Sequence, residues 1–269
     1  MGISESQVPG TQLIGRATAL LRLVAEHHWE GITLADLVRQ SGLERPTAHR
    51  IISALIHEGL VQRASKSRKY YLGSFCSELS SMLADERGVR GVCQPVLDRV
   101  SRNTGNSSFL IIKLGYEAFC LSRSIGSYPI QVLGVKVAHR QPLGVGAGGL
   151  AILSALDDAE RTAVYKANAD RYAQYGALTL ATLKAHVSAT QKRGYSVVGH
   201  YSVPGVIGVG ITLRNELGDP IGAITTASVE HRMQRDKQQE AAHLLSKEIG
   251  LIQDQLSRLG QLLGGDKTI

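Results

Sequence analysis

Near the start of the chain, apolar and polar positions alternate with the period of an α-helix. Apolar residues recur at spacings of three and four between residues 13 and 28, which places them on one helix face. Thr33 and Asp36 then form a typical helix start, because a threonine hydroxyl can cap the first turn and a carboxylate favours its positive end. The pattern therefore predicts one helix over residues 13–28 and a second over residues 34–40.

A tight turn and a third helix follow. The turn comprises residues 41–43, in which Gly42 can adopt a positive φ. Pro46 is tolerated in a first helical turn, where its missing N–H group has no intrahelical acceptor. The apolar residues between 51 and 56 give this third helix a face to bury. The sequence thus predicts helix, short turn, helix.

Two short strands are predicted next, over residues 60–63 and 70–72, and the loop that joins them is basic. Six basic and two acidic residues lie between residues 43 and 70, so this segment carries +4 of the chain's net charge of +7. Arginine suits the edge of guanine, whereas hydroxyl groups suit phosphate oxygens. We therefore expect the third helix and the hairpin loop to contact DNA. The expected DNA-binding residues are Arg45, Pro46, Thr47, His49, Arg50, Lys66, Arg68 and Lys69.

Residues 12–73 resemble the DNA-binding domain of IclR-type regulators. The stretches that carry the resemblance are residues 31–37, 41–43, 47–52, 60–63 and 71–73. The resemblance implies a dimer-forming winged helix-turn-helix, which a linker helix joins to a GAF-like effector domain. Pro46 departs from the small or polar residue typical of its position.

The remainder of the chain predicts a linker and a mixed domain. Leu79, Met82 and Leu83 share one helical face within residues 75–88, which predicts a linker helix. Strands are predicted at 107–114, 117–125, 195–198, 206–213 and 221–228, and helices at 92–103, 150–167, 180–193 and 235–263. Residues 139–142 do not have the pattern of a strand end. This order predicts an α+β fold with a mainly antiparallel sheet. The expected domains are 12–73 (DNA-binding), 74–90 (linker helix) and 91–263 (GAF-like, effector-binding).

A glycine-rich turn between Gly144 and Gly149 precedes one of these helices. It satisfies the GxGxxG pattern, but no βαβ unit surrounds it, which disfavours a dinucleotide site. Its backbone N–H groups can nevertheless hold a carboxylate or another anion. The IclR resemblance extends to about Leu259 and implies that this turn lines the effector pocket. The residues so implied are Leu143, Gly146, Ala147, Gly208 and Ser228.

Three departures from the family pattern affect this pocket. Glycines occupy the turn where alanine and threonine are usual, His200 stands where an acidic residue is common, and Gly208 replaces a common cysteine. So many glycines predict a roomier pocket.

Other kinds of chemistry find little support in the sequence. The three cysteines lack metal or disulfide spacing and are expected to be reduced thiols. The pairs His139 with Ser124 and His200 with Ser202 lack a nucleophile elbow, so we expect no catalytic residues and no enzyme. We also expect no metal and no cofactor. No apolar run approaches the roughly 18 residues that span a bilayer, so a cytoplasmic protein without a membrane partner is expected.

The sequence thus favours a transcription regulator whose partners are operator DNA, a small organic acid or aromatic metabolite as effector, and further copies of itself. A homodimer or a dimer of dimers is expected, because paired recognition helices match successive major-groove faces. The alternative is a small-molecule-binding or enzymatic α+β domain with a basic N-terminal module that docks to protein.

Overall fold

The computed structural model describes residues 10–28, 30–64, 67–82, 84–132, 134–176, 178–199 and 203–257. Its internal contacts divide the chain into two compact units, residues 1–84 and 85–269.

The first unit packs three helices against a two-stranded antiparallel hairpin. Its elements are α1 (Gln12–Glu26), α2 (Leu34–Ser41), α3 (Arg45–His57), β1 (Val61–Arg63), β2 (Tyr70–Leu72) and α4 (Ser74–Met82). Leu20, Leu37 and Ile52 come from the three helices and are fully buried together. The helical period that predicts these elements is therefore also the period of the buried core.

Two local signals hold the helix pair in place. The backbone N–H of Asp36 donates to Thr33 Oγ1 at 3.2 Å, and the Thr33 hydroxyl donates to the Asp36 carboxylate at 2.7 Å. Gly42 ends α2 at φ +70°, a left-handed conformation that glycine adopts without steric cost. The predicted helix start at Thr33 and the predicted turn at Gly42 are both confirmed.

The second unit is built on a six-stranded antiparallel sheet, as far as the structure describes it, in the order β5-β4-β3-β8-β7-β6. The strands are β3 (Ser107–Leu114), β4 (Glu117–Ser124), β5 (Arg140–Pro142), β6 (Ser196–Gly199), β7 (Val206–Arg214) and β8 (Pro220–Val229). The helices are α5 (Ala84–Thr104), α6 (Gly146–Ala155), α7 (Asp158–Tyr172), α8 (Leu180–Arg193) and α9 (Arg235–Gly250).

Helices cover both faces of this sheet. Residues of α6, α7 and α8 share one buried cluster with Phe109 and Ile111 of β3. Residues of α5 and α9 share the other cluster with Leu110, which lies between Phe109 and Ile111 in the sequence. Successive side chains of a strand point to opposite faces, so the sheet lies between two helical layers. The predicted α+β fold with its mainly antiparallel sheet is confirmed.

The structure corrects three predicted elements. The single helix expected over residues 150–167 is two helices, because Leu156 is extended and the Asp157 carboxylate accepts from the Glu160 N–H at 2.8 Å to start α7. Residues 140–142 form a strand after all, at an edge of the sheet where proline is tolerated. The helix expected over residues 92–103 begins earlier, at Ala84.

The first turn of α6 lies directly on the sheet. A Cβ atom added to Gly148 would stand 2.5 Å from Ile111 Cγ1, and one added to Gly208 would stand 3.1 Å from Ala147 Cβ. Both distances are shorter than an ordinary contact between carbon atoms. Glycine at these two positions therefore allows the helix to approach β3 and β7 so closely.

This contact predicts opposite effects for two glycine-to-alanine changes in helices. Gly148→Ala should lower the free energy of unfolding by about 1–2 kcal/mol, because overpacking costs more than the gain in helix propensity. Gly91→Ala, in α5 with open space around the added Cβ, should be neutral or stabilising by up to about 1 kcal/mol. Guanidinium unfolding followed by circular dichroism measures both. Equal effects of the two changes would contradict the close contact.

Candidate nucleic-acid interface and ligand pocket

Helix α3 has one buried face and one exposed face. Ala48, Ile51 and Ile52 are buried in the core of the first unit. The expected DNA-binding residues Arg45, Pro46, His49 and Arg50 are exposed on the other side, and Thr47 is half-buried between the two faces.

The same exposed face continues further along the helix than the predicted set of residues. Ser53 and His57 are exposed one and two turns beyond His49. Their spacing of four residues is a signal that the sequence contains, because residues four apart share a helix face. The polar surface of α3 is therefore longer than its first turns.

The loop between β1 and β2 presents its basic residues in different directions. Arg68 is exposed and has a left-handed backbone, with φ +55°. Lys69 is half-buried, and its Nζ donates to the carbonyl oxygen of Glu30 at 2.8 Å, so its ammonium group faces the segment before α2. Lys66, also expected to bind DNA, lies outside the described residues.

A small cavity lies between the start of α6 and the sheet of the second unit. Its volume is about 50 Å³ and its lining is mostly apolar, with Phe109 from β3 and Ala227 from β8. The polar side chains in the described lining are Gln141 of β5 and Thr225 of β8, and neither is charged. The cavity thus suits a small molecule with a single polar end.

Three of the five expected pocket residues, Gly146, Ala147 and Gly208, line this cavity. Leu143 does not: it is fully buried in the core, and its carbonyl accepts from the Tyr172 hydroxyl at 2.8 Å. Ser228 does not either. It follows Ala227 on β8 and so points to the opposite face of the sheet.

Gln141 and Thr225 line the cavity but are not among the pocket residues expected from the sequence. Thr225 lies two residues before Ala227, so the alternation of β8 is enough to find it once the inward face is known. Gln141 had no comparable signal, because a three-residue strand shows too little alternation. The contributing strand itself, β5, was not predicted.

The expectation of a roomier pocket stays a prediction. Gly148 and Gly208 leave no empty space beside them, because helix α6 packs closely on the sheet at these positions. The cavity that remains in the described residues is correspondingly small.

The start of α6 adds backbone polar groups to this cavity. Val145 precedes the helix, and no side chain in the described part of the chain caps its first N–H groups. The Gln141 Nε2 donates to the carbonyl of Val145 at 2.9 Å, which holds the Gln141 side chain beside the helix start. Uncapped N–H groups at a helix start carry partial positive charge and bind anions.

An ion-pair network supports the strand that carries Gln141. The Glu117 carboxylate accepts from Arg171 at 2.8 Å and from Arg140 at 3.2 Å. Burial by itself would raise the pKa of Glu117, but the hydrogen bonds from the two guanidinium groups outweigh it and lower that pKa. Because Arg140 immediately precedes Gln141, this network fixes β5 against α7.

Comparisons with known proteins decide the family. A model of the C-terminal domain of bacterial IclR transcriptional regulators matches residues 82–249, and a model of the IclR helix-turn-helix domain matches residues 13–65. The chain belongs to the IclR family. It is a transcriptional regulator with a DNA-binding helix-turn-helix domain and a ligand-binding C-terminal domain.

Individual relatives are similar over most of their length. The HTH-type transcriptional regulator Rv1719 of Mycobacterium tuberculosis is 31% identical over 209 residues, which cover 76% of this chain and 78% of the relative. KipR of Bacillus subtilis is 27% identical over 243 residues, which cover 87% of this chain and 96% of the relative. An IclR homologue from Microbacterium hydrocarbonoxydans, crystallised with 4-hydroxybenzoate, is 21% identical with a TM-score of 0.71 over 91% of this chain and 98% of its own.

The cysteines of this IclR-family chain are not arranged for chemistry. Burial raises the pKa of the Cys93 and Cys120 thiols to about 12, and Cys76 donates to the Leu60 carbonyl. In the described ranges, no group of three histidine, cysteine or acidic side chains could hold a metal ion. His200 and Ser202 lie outside those ranges. No described helix is both long and apolar enough to cross a membrane.

Replacing Glu117 tests the ion-pair network. Glu117→Gln should lower the free energy of unfolding by about 1–2 kcal/mol near neutral pH, since the carboxylate is only partly exposed. A lowered pKa contributes stability above the ordinary pKa and loses it as pH falls through the lowered value. The difference from the unchanged protein should therefore shrink in acid. Unfolding midpoints measured near neutral pH and in acid check this.

The matched control is Glu160→Gln, which removes a carboxylate paired with Lys113 at a more exposed site. It should lower the free energy of unfolding by less than about 0.5 kcal/mol. A loss for Glu117→Gln that is the same at both pH values would show that its charge is not responsible.

Proposed function

We propose that the first unit binds operator DNA with α3 in the major groove and the β1–β2 loop at the phosphate backbone. The exposed polar face of α3, opposite its buried face, supports this proposal. The contacts proposed are those of Arg45, Pro46, Thr47, His49, Arg50, Lys66, Arg68 and Lys69. The regulator would act in the cytoplasm, where its operator lies.

These residues would contact different parts of the DNA according to their side-chain chemistry. Arg50 is exposed in the middle of the helix face, and its guanidinium suits a guanine edge. Pro46 has no side-chain donor, so its ring would contact a thymine methyl group instead. Arg68, exposed on the loop, would contact a phosphate.

We propose a symmetric oligomer, a dimer or a dimer of dimers, in which paired α3 helices read two half-sites about 34 Å apart. The proposed division is a DNA-binding domain over residues 12–73, a linker helix over 74–90 and an effector-binding domain over 91–263. Effector binding would change operator affinity by favouring one arrangement of the paired DNA-binding domains. It does so only if the effector binds the two arrangements with different affinity.

The proposed effector is a short-chain monocarboxylate. The observation that carries this is the uncapped start of α6, which lines an apolar cavity without a charged side chain in its described lining. One carboxylate would be stabilised by the helix N–H groups, whereas a second would lie in an apolar wall without a counter-charge.

The size of the cavity narrows the proposal further. About 50 Å³ is roughly a third of the 150 Å³ cavity that holds benzene in a well-studied engineered case. The homologue crystallised with 4-hydroxybenzoate binds an acid on an aromatic ring. We propose the same acidic group on a smaller aliphatic body for this chain.

The DNA proposal predicts the effect of removing one guanidinium group. Arg50→Ala should weaken binding by about 1–3 kcal/mol if Arg50 contacts a base. Fluorescence anisotropy with a labelled duplex from upstream of the protein's own gene measures this. Arg102→Ala is the control, because it removes the same charge from an exposed position in the second unit. Equal affinities of both variants and the unchanged protein would remove Arg50 from the interface.

The effector proposal predicts a selective panel of ligands. Acetate or lactate should bind, and succinate and benzoate should bind much more weakly, in calorimetric titrations. Thr225→Val should weaken the best ligand about tenfold, since it removes a hydroxyl from the lining without changing its volume much. Ser228→Ala is the matched control on the opposite face of the sheet and should leave affinity unchanged.

Two outcomes would contradict parts of this proposal separately. Tighter binding of benzoate than of lactate would overturn the size argument but not the anion site. Absence of binding by every acid in the panel would overturn the anion site itself.

A further inference from the structure

A second cavity lies at the other end of α6, within the second unit. Its volume is about 200 Å³, and it shares no described lining residue with the cavity at the helix start. Its walls come from the last turns of α6 and α8 and from the neighbouring strands β6 and β7. We name it the hydroxyl cleft, after the side chains Ser154, Thr190, Ser196 and Thr212 that line it.

Most hydrogen-bond donors of the hydroxyl cleft are already used. Three of its hydroxyl groups donate to backbone carbonyls of α6: Ser154 to Leu150 at 2.7 Å, Ser196 to Ala147 at 2.6 Å and Thr212 to Ala151 at 3.0 Å. The side-chain amide of Gln191 likewise donates to the Ser154 carbonyl at 3.0 Å. A hydroxyl has one hydrogen and two lone pairs, so these three can only accept hydrogen bonds from a ligand.

Thr190 is the independent sign that something binds here. Thr190 is only 5% exposed, and its buried Oγ1 has no hydrogen-bond partner in the described part of the chain. A buried hydroxyl without a partner is costly, so native structures rarely leave one. A bound molecule that reaches Thr190 would remove this cost.

The groups around the cleft favour a neutral ligand over a charged one. Arg214 is the charged side chain in its described lining, which therefore offers no carboxylate to a cation. An anion would instead meet the lone pairs of the hydroxyl groups and the negative ends of α6 and α8. A neutral molecule that brings its own hydrogen-bond donors avoids both difficulties.

We propose that the hydroxyl cleft binds a neutral polyhydroxyl compound, a short polyol or a monosaccharide, separately from the effector pocket. The ligand's hydroxyl hydrogens would satisfy the lone pairs of Ser154 and Thr212. Its oxygens would accept from Thr190 and Arg214, and its C–H groups would lie against the Tyr195 ring in the wall. The volume exceeds the roughly 150 Å³ that holds benzene, so a single sugar ring fits.

Both ligands would contact the same helix, at its opposite ends. Binding in the cleft would therefore change affinity at the effector pocket if it displaced α6, and the effect would be reciprocal.

The test is a calorimetric titration of the full chain with erythritol, xylose and glucose. Sodium succinate, which should bind the effector pocket only weakly, and methylammonium chloride serve as the charged comparison ligands. We expect one neutral compound to bind with millimolar or tighter affinity, and Thr190→Val to weaken it at least about tenfold. Thr162→Val, the same change at an exposed threonine of α7 that lines neither cavity, is the matched control and should leave this affinity unchanged.

A second measurement does not depend on the ligand. Thr190→Val removes an unpartnered buried hydroxyl, so it should raise the unfolding midpoint of the free protein. It should also reduce the further rise that the bound polyol causes in the unchanged protein.

Three results would overturn the proposal. One is the absence of binding by every neutral compound, which would indicate that the cleft holds only water. Another is a charged ligand whose binding Thr190→Val weakens. The third is a neutral compound that binds Thr190→Val as tightly as the unchanged protein.

Discussion

The close contact between the start of α6 and the sheet determines the architecture of the second unit. Gly148 against Ile111 and Gly208 against Ala147 allow backbone and strand to approach at distances that a side chain would forbid. The helix consequently fills the space that glycines would otherwise have left open. A small apolar cavity remains at its first turn, and a larger polar cleft at its last.

The two cavities differ because the two ends of a helix differ. The start of α6 presents N–H groups that no described side chain caps, and the wall around them is mostly apolar, which suits one carboxylate. Towards its end, hydroxyl groups such as Ser154 and Thr212 occupy the carbonyls instead. Their remaining lone pairs make that end an acceptor surface. A single helix thus separates two kinds of ligand chemistry.

The sequence predicted the first unit better than the second for a physical reason. Its helices are held by contacts close in sequence, such as the Thr33 cap and the Gly42 turn, and these leave local patterns. The break between α6 and α7 also had a local signal, since Asp157 followed by Glu160 is an acceptable helix start. Strand β5 had none, because three residues are too few to show alternation.

Pocket residues are harder to predict than recognition-helix residues because they come from distant parts of the chain. Phe109, Gln141 and Thr225 meet only because β3 pairs with β8 and β5 with β4. A strand's alternation shows which residues share a face, but not which face turns towards the ligand. Ser228 lies one residue out of phase with Thr225 and Ala227, which line the cavity. The exposed face of α3 needs no such pairing, since a single helix presents all of it.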